Sequence, residues 1–590
     1  FPVWYNLSMK RRLIMKKKII ALFVSIISLF CFISCGGKTS SVPGDSTGSG
    51  NSQSSSDGVK LLDLGSEFDE NYYPDLSSME SAEGQIDVVI LFDGTQDGWK
   101  AVADEYMRLH ENSVYVKLNT TYTASTYGDK LLAEVKDKNT EWDIVQGNLI
   151  GNNLTQYCYN MSSTIRQANA YAGEDTSWKD VLSEEAYLTD KSGANTDCYI
   201  LNTESLNTAW FVNDVALKVA GEKGYKNVDG KVATPKTWDD LVALCKYMKE
   251  AGYANPLGIS VDTESISASQ FTWLLRIYGD LYFRSDYNVI MPQEGDENFT
   301  HKYEVDLTSE NPESAVDYGY VYSRFFNTIL DQSSKNYVGA TSGKYKDFLS
   351  QFEKIKEYLL TDAANTSMEQ MRNMFRTQSS GKASPQIMLD YSGEGLAFGE
   401  KSDESFSLDF FDYPRMVSEY VSENTLVRDV GGNGGYLSIV NHGKTQNALN
   451  VDFLKFFLSP YGQTIYYKAL SEKGVSVKGL MTVKNNLVVV PESWKTFFRS
   501  DKISYTGLAD NNPYLTFLVR YMSNDTDNVK DSVTLWKRYL TGTGADALTT
   551  DSFGSMWQSS LLSAFERLCD VQGWSKTFYK YPGKGVDYGN

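Results

Sequence analysis

Short polar side chains stand directly beyond two apolar runs of this chain. Asp93 and Gln96 follow Val88, Val89, Ile90 and Leu91, and Asn148 follows Ile144 and Val145. Carboxylates and amides placed there can accept from and donate to the hydroxyl groups of a ligand. The same residue types also form turns, and Asp93-Gly94-Thr95 reads either way. Other chemistry is poorly supplied. Three histidines, His110, His301 and His442, are too few for a His-rich zinc site. With 75 acidic residues, a pair of carboxylates across a cleft, as in a glycoside hydrolase, stays open. No nucleophile motif, metal cluster or cofactor fingerprint accompanies them. One echo of a phosphate loop, His442-Gly443-Lys444-Thr445, has Ser438 where its first glycine is required, which excludes nucleotide binding. No catalytic residue, cofactor or metal is expected.

The elements that must position these residues are legible from periodicity. Residues 87–92 are a continuous apolar run, the pattern of a buried strand. Trp99, Val102, Ala103, Tyr106 and Met107 recur at helical spacing behind Asp97, a plausible cap. Val114, Val116 and Leu118 alternate as a second strand, Tyr127, Leu131, Leu132 and Val135 mark a second helix, and 142–145 is a third strand. A β-α-β-α-β order implies a parallel sheet with helices on its faces and ligands beyond the carboxyl ends of its strands. The loops at 93–97, 121–127 and 146–148 are therefore singled out. Further on, 208–213 is an apolar strand. Thr237 and Asp240 form a capping box ahead of a helix that lines up Trp238, Leu241, Val242, Cys245 and Met248, with Gly252 closing it. A turn into a strand covers 255–259, a helix-rich stretch 271–360, and a strand then loop 385–394, where Tyr391 and Glu394 lie. Residues 436–440 are a strand, 448–458 a strongly apolar helix stopped by Ser459-Pro460, and 491–581 helical and aromatic-rich. Trp238 is expected in a core. Trp273 sits on a helix either as core or as a flat platform for a ring.

Bulk properties narrow the class. The net charge of −19 argues against nucleic acid, whose phosphates need clustered Lys and Arg. Aromatic content of 13% supplies cores first and stacking platforms second. Length is enough for two to four domain-sized units. Cys158 and Cys198 are able to bridge, or all four cysteines of the body, with Cys245 and Cys569, stay free.

Ahead of the body, Met15-Lys16-Lys17-Lys18 precedes an uncharged stretch, 19–34, too short for a membrane span and laid out as a secretory signal peptide. Residues 1–8 fit no export pattern, so Met9 or Met15 is the expected start. The stretch ends at Phe32-Ile33-Ser34-Cys35, which resembles the lipobox of bacterial lipoproteins but departs from Leu-Ala-Gly/Ser-Cys at the third residue before the cut. That resemblance implies lipidation at Cys35; the alternative is an ordinary signal peptide with an incidental thiol. Residues 38–58, rich in Ser, Gly and Thr, read as a flexible tether.

The order of motifs as a whole resembles the extracellular solute-binding proteins of ATP-driven importers, in the carbohydrate-binding branch known as family 1. The residues carrying it are Leu91-Phe92-Asp93-Gly94 with Trp99, Tyr127-Gly128-Asp129-Lys130, Trp142-Asp143-Ile144-Val145 with Asn148, and Trp210-Phe211-Val212-Asn213. Pro235-Lys236-Thr237-Trp238, Asn255-Pro256-Leu257-Gly258, Gly434-Gly435-Tyr436-Leu437 and Phe456-Phe457-Leu458-Ser459-Pro460 continue it, over about 85–484. The resemblance implies an α/β fold of two lobes with a hinge and a ligand cleft, plus a helical C-terminal extension. Its expected division is 1–34 signal peptide, 35–84 lipidated Cys and linker, 85–208 with 430–465 as lobe one, and 209–429 with 466–590 as lobe two. A hinge is expected near Trp210. Relatives often carry a stacking Trp where this chain has Tyr391, so either Tyr391 takes that role or the ligand is not stacked there. Glu394 would bind hydroxyls or a cation, or be a solvated loop carboxylate. Asn433 and Tyr436 would line the return to lobe one, where the glycines of 431–435 either let the backbone approach a ligand or form a loose connector. Implied partners are a sugar or oligosaccharide, the permease subunits of an ABC transporter, and the membrane through the lipid, with a monomer facing the extracellular side.

Three functions compete: solute capture for import, a lipid-anchored glycosidase, and a ligand sensor on the same fold. The anchor is testable apart from them. A Cys35→Ala protein is expected to leave the membrane fraction on cell fractionation; full retention there would remove the lipid from the account.

Overall fold

The computed structural model describes residues 59–91, 94–122, 133–135, 140–146, 155–173, 176–183, 186–187, 197–261, 270–296, 299–308, 321–399, 403–429, 432–475, 477, 479–495, 513–520 and 525–581. Cys35, Asp93 and Asn148 lie outside them, as does most of the expected second helix, and Asn433 and its neighbouring glycines are described in their backbone alone.

The first sheet grows from apolar runs with little alternation. β1 (Gly84–Leu91) buries Ile86, Val88, Val89 and Ile90 completely, as a strand covered on both faces must. α1 (Gln96–Leu109) returns over it with Trp99, Val102, Ala103 and Tyr106 inward, and Asp97 stands in its first turn while Thr95 takes the N-cap position expected of Asp97. There the charge of Asp97 still favours the positive end of the helix dipole. β2 (Val114–Tyr122) and β3 (Ile144–Gln146) flank β1 in parallel, with Val88 opposite Leu118 on one side and Ile144 on the other.

The chain then leaves this sheet through β4 (Glu204–Leu206) and enters a second one at β5 (Thr208–Asn213). α2 (Asp214–Glu222), the hairpin of β6 (Asn227–Val228) with β7 (Lys231–Val232), and α3 (Trp238–Glu250) follow. The capping box of α3 is present: Asp240 N–H donates to Thr237 Oγ1 at 3.1 Å and Thr237 N–H to Asp240 Oδ2 at 3.1 Å. Trp238 is core, its ring N–H on the Gln351 carbonyl at 2.8 Å. After β8 (Leu257–Gly258) come α4 (Gln270–Phe283), α5 (Tyr322–Leu330), α6 (Gly343–Glu353), α7 (Met368–Thr377), β9 (Ile387–Tyr391), α8 (Glu394–Gly399) and β10 (Leu408–Phe411). The second sheet runs β10-β5-β9-β8, with β8 and β9 parallel and β5 antiparallel to both of its neighbours.

The return is made by β11 (Gly432–Gly434), antiparallel to β4, and β12 (Leu437–Ile439), which joins the first sheet beside β3. α9 (Lys444–Phe457) and α10 (Pro460–Glu472) pack on that sheet, Phe457 stacking on Trp99 at 4.1 Å. β13 (Leu480–Met481) adds a third strand to the crossing ribbon. α11 (Thr526–Thr541) and α12 (Thr550–Gln572) complete the second lobe, with Trp536 against Phe271 and Trp557 buried. Two α/β lobes, each with its own sheet and its own core, are thus joined by antiparallel crossings. Cys158, Cys198, Cys245 and Cys569 are buried free thiols.

Several boundaries differ from expectation. Leu64 and Phe68, in the expected linker, are buried in the first core, and Leu62 N–H donates to Tyr461 OH at 3.0 Å. From residue 59 the chain is therefore part of lobe one. Tyr466, Tyr467, Leu470, Val488 and Trp494 also pack in the first core, so the stretch 466–494, expected in lobe two, belongs to lobe one. Trp210 is fully buried inside the second core and cannot be the hinge; the crossing lies upstream, at β4. Ser459-Pro460 ends one helix and begins another, because Ser459 Oγ accepts from Gly462 N–H and proline suits the first helical position.

One buried ionic cluster ties the second lobe together. Asp280 on α4 receives Arg284 Nη2 at 2.5 Å and Arg428 Nη2 at 2.6 Å, all three residues being essentially inaccessible. Arg284 also donates to the carbonyls of Leu307 at 3.2 Å and Leu426 at 2.7 Å. Burial works to raise the Asp280 carboxyl, but the attraction of Arg428 and Arg284 outweighs it and the net direction is downward. A depressed folded value means stability that is present above the unfolded value, about 3.9, and lost as pH falls through the folded one. Asp280→Asn is expected to cost about 3–5 kcal/mol at neutral pH by leaving both guanidinium groups uncompensated. In denaturant titrations the gap from wild type should be constant between about pH 7 and 5 and shrink only below the ordinary carboxylate range; a gap that closes near neutral pH would contradict this.

Candidate functional site

The carboxyl ends of the first sheet form one rim. Leu91 closes β1, and its backbone is held by two amides: its N–H donates to Gln146 Oε1 at 2.8 Å, and its carbonyl accepts from Gln96 Nε2 at 3.3 Å. Gln96, expected here, is half-buried in the first turn of α1 with its amide nitrogen engaged in this bond. Gln146 is a site residue that the sequence reading named only as the start of a loop. Its signal was its place as the last residue of the third strand. Tyr436, half-buried, precedes Leu437, which pairs with Gln146, so it stands at the same rim.

The second rim is built at the carboxyl ends of β8 and β9. Ser260, just past β8, donates its N–H to Gln270 Oε1 at 2.7 Å and so fixes the start of α4. One turn later Trp273 meets Tyr391, the last residue of β9, at 4.7 Å between ring centroids. Trp273 is 3% exposed and is therefore no open platform; it supports Tyr391, which is half-buried. Beside Tyr391 a carboxylate–guanidinium pair sets the local charge. Arg372 donates to Asp390 through Nε at 2.8 Å and Nη2 at 2.6 Å, and its guanidinium centre lies 6.0 Å from the Tyr391 ring centroid. Burial works against the Arg372 charge, yet the bonds from Asp390 hold its pKa well above the usual value. Glu394, expected in a loop, opens α8, with its carboxylate 3.7 Å from Arg372. Its position is that of an ion-pair partner at the edge of the site.

The two rims meet through the crossings. Leu201 bridges Leu437 at the first rim, and Thr208 pairs with Tyr391 at the second. Between them Glu204, Ser205 and Leu206 pair with Gly434, Asn433 and Gly432, so Asn433 lies in an ordered strand. Gly435 has a local reason to be glycine. Its φ is +60°, and a Cβ there would sit 1.8 Å from Thr203 Oγ1, which donates to the Gly435 carbonyl at 2.9 Å. The return is thus a clasped ribbon rather than a loose connector. Two rims bearing amides and aromatic faces, set on either side of one ribbon, suit a ligand held by hydrogen bonds and ring contact. Among the described residues no group of three or more His, Cys, Asp or Glu is placed to hold a metal ion.

No family model and no curated protein sequence matches the chain. Solved structures similar to it include a family 1 extracellular solute-binding protein from Bifidobacterium longum subsp. infantis, at 13% identity and a TM-score of 0.48, covering 82% of this chain and 100% of that one. The apo-form of RafE from Streptococcus pneumoniae aligns at 12% identity and 0.49, over 82% of this chain and 100% of that one. A mannobiose-complexed ABC-transporter binding protein from Bifidobacterium animalis subsp. lactis aligns at 13% and 0.47, over 84% and 99%.

The ribbon yields a direct test. Gly435→Ala is expected to destabilise by about 1–3 kcal/mol through left-handed strain, plus the loss of the Thr203 bond. Gly230→Ala, at φ +80° with nothing within 4 Å, isolates the strain alone. Equal losses for the two variants in chemical denaturation would show that the Thr203 contact contributes nothing.

Proposed function

We propose that this chain is an extracellular solute-binding protein, lipid-anchored through Cys35, that captures a sugar or oligosaccharide between its lobes and delivers it to an ABC transporter permease. The observation that carries the reading is the pairing of two ligand-type rims across one crossing ribbon. Gln96, Gln146 and Tyr436 stand on one side, and Tyr391 backed by Trp273 on the other. Amides match hydroxyl groups, and a half-buried aromatic face matches the apolar face of a pyranose ring. A ligand touching both rims favours the state in which they approach, so differential contact drives closure. The glycosidase alternative gains nothing from the site: Asp390 and Glu394 lie on one rim and both face Arg372, which is not the arrangement of two carboxylates flanking a scissile bond.

A thermal-shift screen over oligosaccharides, followed by calorimetry and a product assay, tests the proposal. Tight binding with the sugar recovered unchanged is expected; turnover of the bound sugar would overturn it. Tyr391→Ala should then weaken binding by roughly one to two powers of ten, because a buried aromatic contact contributes ~1–3 kcal/mol. An unchanged dissociation constant would take Tyr391 out of the site.

A further inference from the structure

Where the outgoing crossing enters lobe two, one residue is closely held. Thr208, the first residue of β5, has all its polar groups held by two residues from elsewhere in the chain. Its N–H donates to Asp429 Oδ2 at 2.9 Å and its hydroxyl to Asp429 Oδ1 at 2.9 Å. The Tyr413 hydroxyl lies 2.6 Å from the Thr208 carbonyl oxygen and 2.5 Å from Thr208 Oγ1. Burial pushes the Tyr413 phenol well above its ordinary value, with Asp429 adding to the shift, so it stays protonated as a donor.

Asp429 belongs to the returning chain and Thr208 to the outgoing one. The carboxylate therefore fastens the two crossings to each other at the edge of lobe two. The preceding residue fastens the return to the interior of that lobe. Arg428 is buried with both Nε, at 3.0 Å, and Nη2, at 2.6 Å, on the Asp280 carboxylate. One dipeptide thus grips the core through Arg428 and the neighbouring strand through Asp429. Asn207 adds a third link, its carbonyl accepting from Ser392 N–H at 2.9 Å next to Tyr391.

Toward lobe one the crossings are held by the pairing of Leu480 and Met481 with Ser205 and Glu204, by Thr203 on the Gly435 carbonyl, at 2.9 Å, and by Thr482 on the Asn202 carbonyl, at 2.6 Å.

We propose that Asp429, with Thr208 and Tyr413, is a positioning clasp: it locks both crossings to lobe two and holds the Tyr391 rim in place. Asp429 touches no ligand in this assignment and acts through Thr208, whose strand partner is Tyr391. The effect on affinity rests on the binding function proposed above; the effect on the ligand-free protein does not.

The test measures the distance between lobes in the absence of ligand. Spin labels go on Tyr115→Cys and Val228→Cys, exposed positions on the first and second lobe, in a Cys31→Ala, Cys35→Ala background where the remaining thiols are buried. Asp429→Ala is expected to broaden the distance distribution at least twofold, and Asp429→Asn, which keeps one acceptor oxygen, to broaden it less. Thr208→Val, the milder change, should broaden it in the same direction. The double variant should be no broader than the worse single, since both remove one interaction. Where an oligosaccharide ligand is in hand, its affinity should fall by roughly three- to tenfold as the binding-competent fraction drops. An unchanged ligand-free distribution in Asp429→Ala, or additive broadening in the double variant, overturns the clasp. Broadening in a protein that binds no sugar in the screen supports the clasp and counts against the proposed function instead.

Discussion

Everything at the cleft depends on the antiparallel pairing of the two crossings. A strand that leaves one sheet and a strand that comes back cannot run exposed, because their N–H and C=O groups need partners. β4 and β11 supply each other, and β13 completes the outer edge. This pairing does more than satisfy hydrogen bonds. Its register carries on to Leu201 against Leu437, so a one-residue slip would turn Tyr436 to the wrong face. The geometry of the site is thus a consequence of backbone register, and the side chains at the rims inherit it.

The interior chemistry is consistent with specification more than with bulk stability. The chain is strongly acidic overall, yet its most buried ionic cluster sets two arginines on one aspartate. Buried ion pairs are weak stabilisers because desolvation offsets their attraction. What this cluster does is fix a position: Arg284 bonds the carbonyls at 307 and 426, and Arg428 comes from the returning crossing. Asp390 with Arg372 behaves likewise on the rim, aligning the end of β9 beside Tyr391. In both cases the cost of burying charge is offset by a geometry that apolar packing alone would leave free to slide.

Where the sequence was legible, a local signal coincided with the fold. Continuous apolar runs gave β1 and β3, alternation gave β2, and Thr237 with Asp240 gave the start of α3 to the residue. Tyr391 was legible as a candidate through the family resemblance and Trp273 as an aromatic residue on a helix; their contact was not, since it joins segments far apart in the chain. The misplaced boundaries share that cause. Nothing local says which of two cores will take Tyr466 or Trp494, and Leu64 and Phe68 lie in a short stretch with no sustained periodicity to mark them. Ser459-Pro460 reads equally as a stop or a start, and only the helix beyond it decides. Gln146 was passed over because its amide bonds backbone, a role that neither residue type nor spacing announces.

The strap at the N-terminal edge bears on how such a two-lobe body would work at a membrane. Residues 59–83 are tied to the first lobe by the burial of Leu64 and Phe68, by Leu62 on Tyr461, and by Asp75 N–H on the Ala170 carbonyl at 2.8 Å. Phe68, Tyr73 and Tyr461 form a small aromatic cluster over that seam. Any tether upstream of residue 59 would therefore pull on lobe one alone. Among the described residues the second lobe, which carries Tyr391, the buried arginines and the tail helices, connects to that point through the crossings and through the packing of 394–399 against 492–495. Under the proposed anchoring through Cys35, the chain would be held by lobe one, and the approach of the rims would take place across the crossings. Mechanical separation of this kind lets a protein be held at a surface without biasing the equilibrium that its ligand must shift.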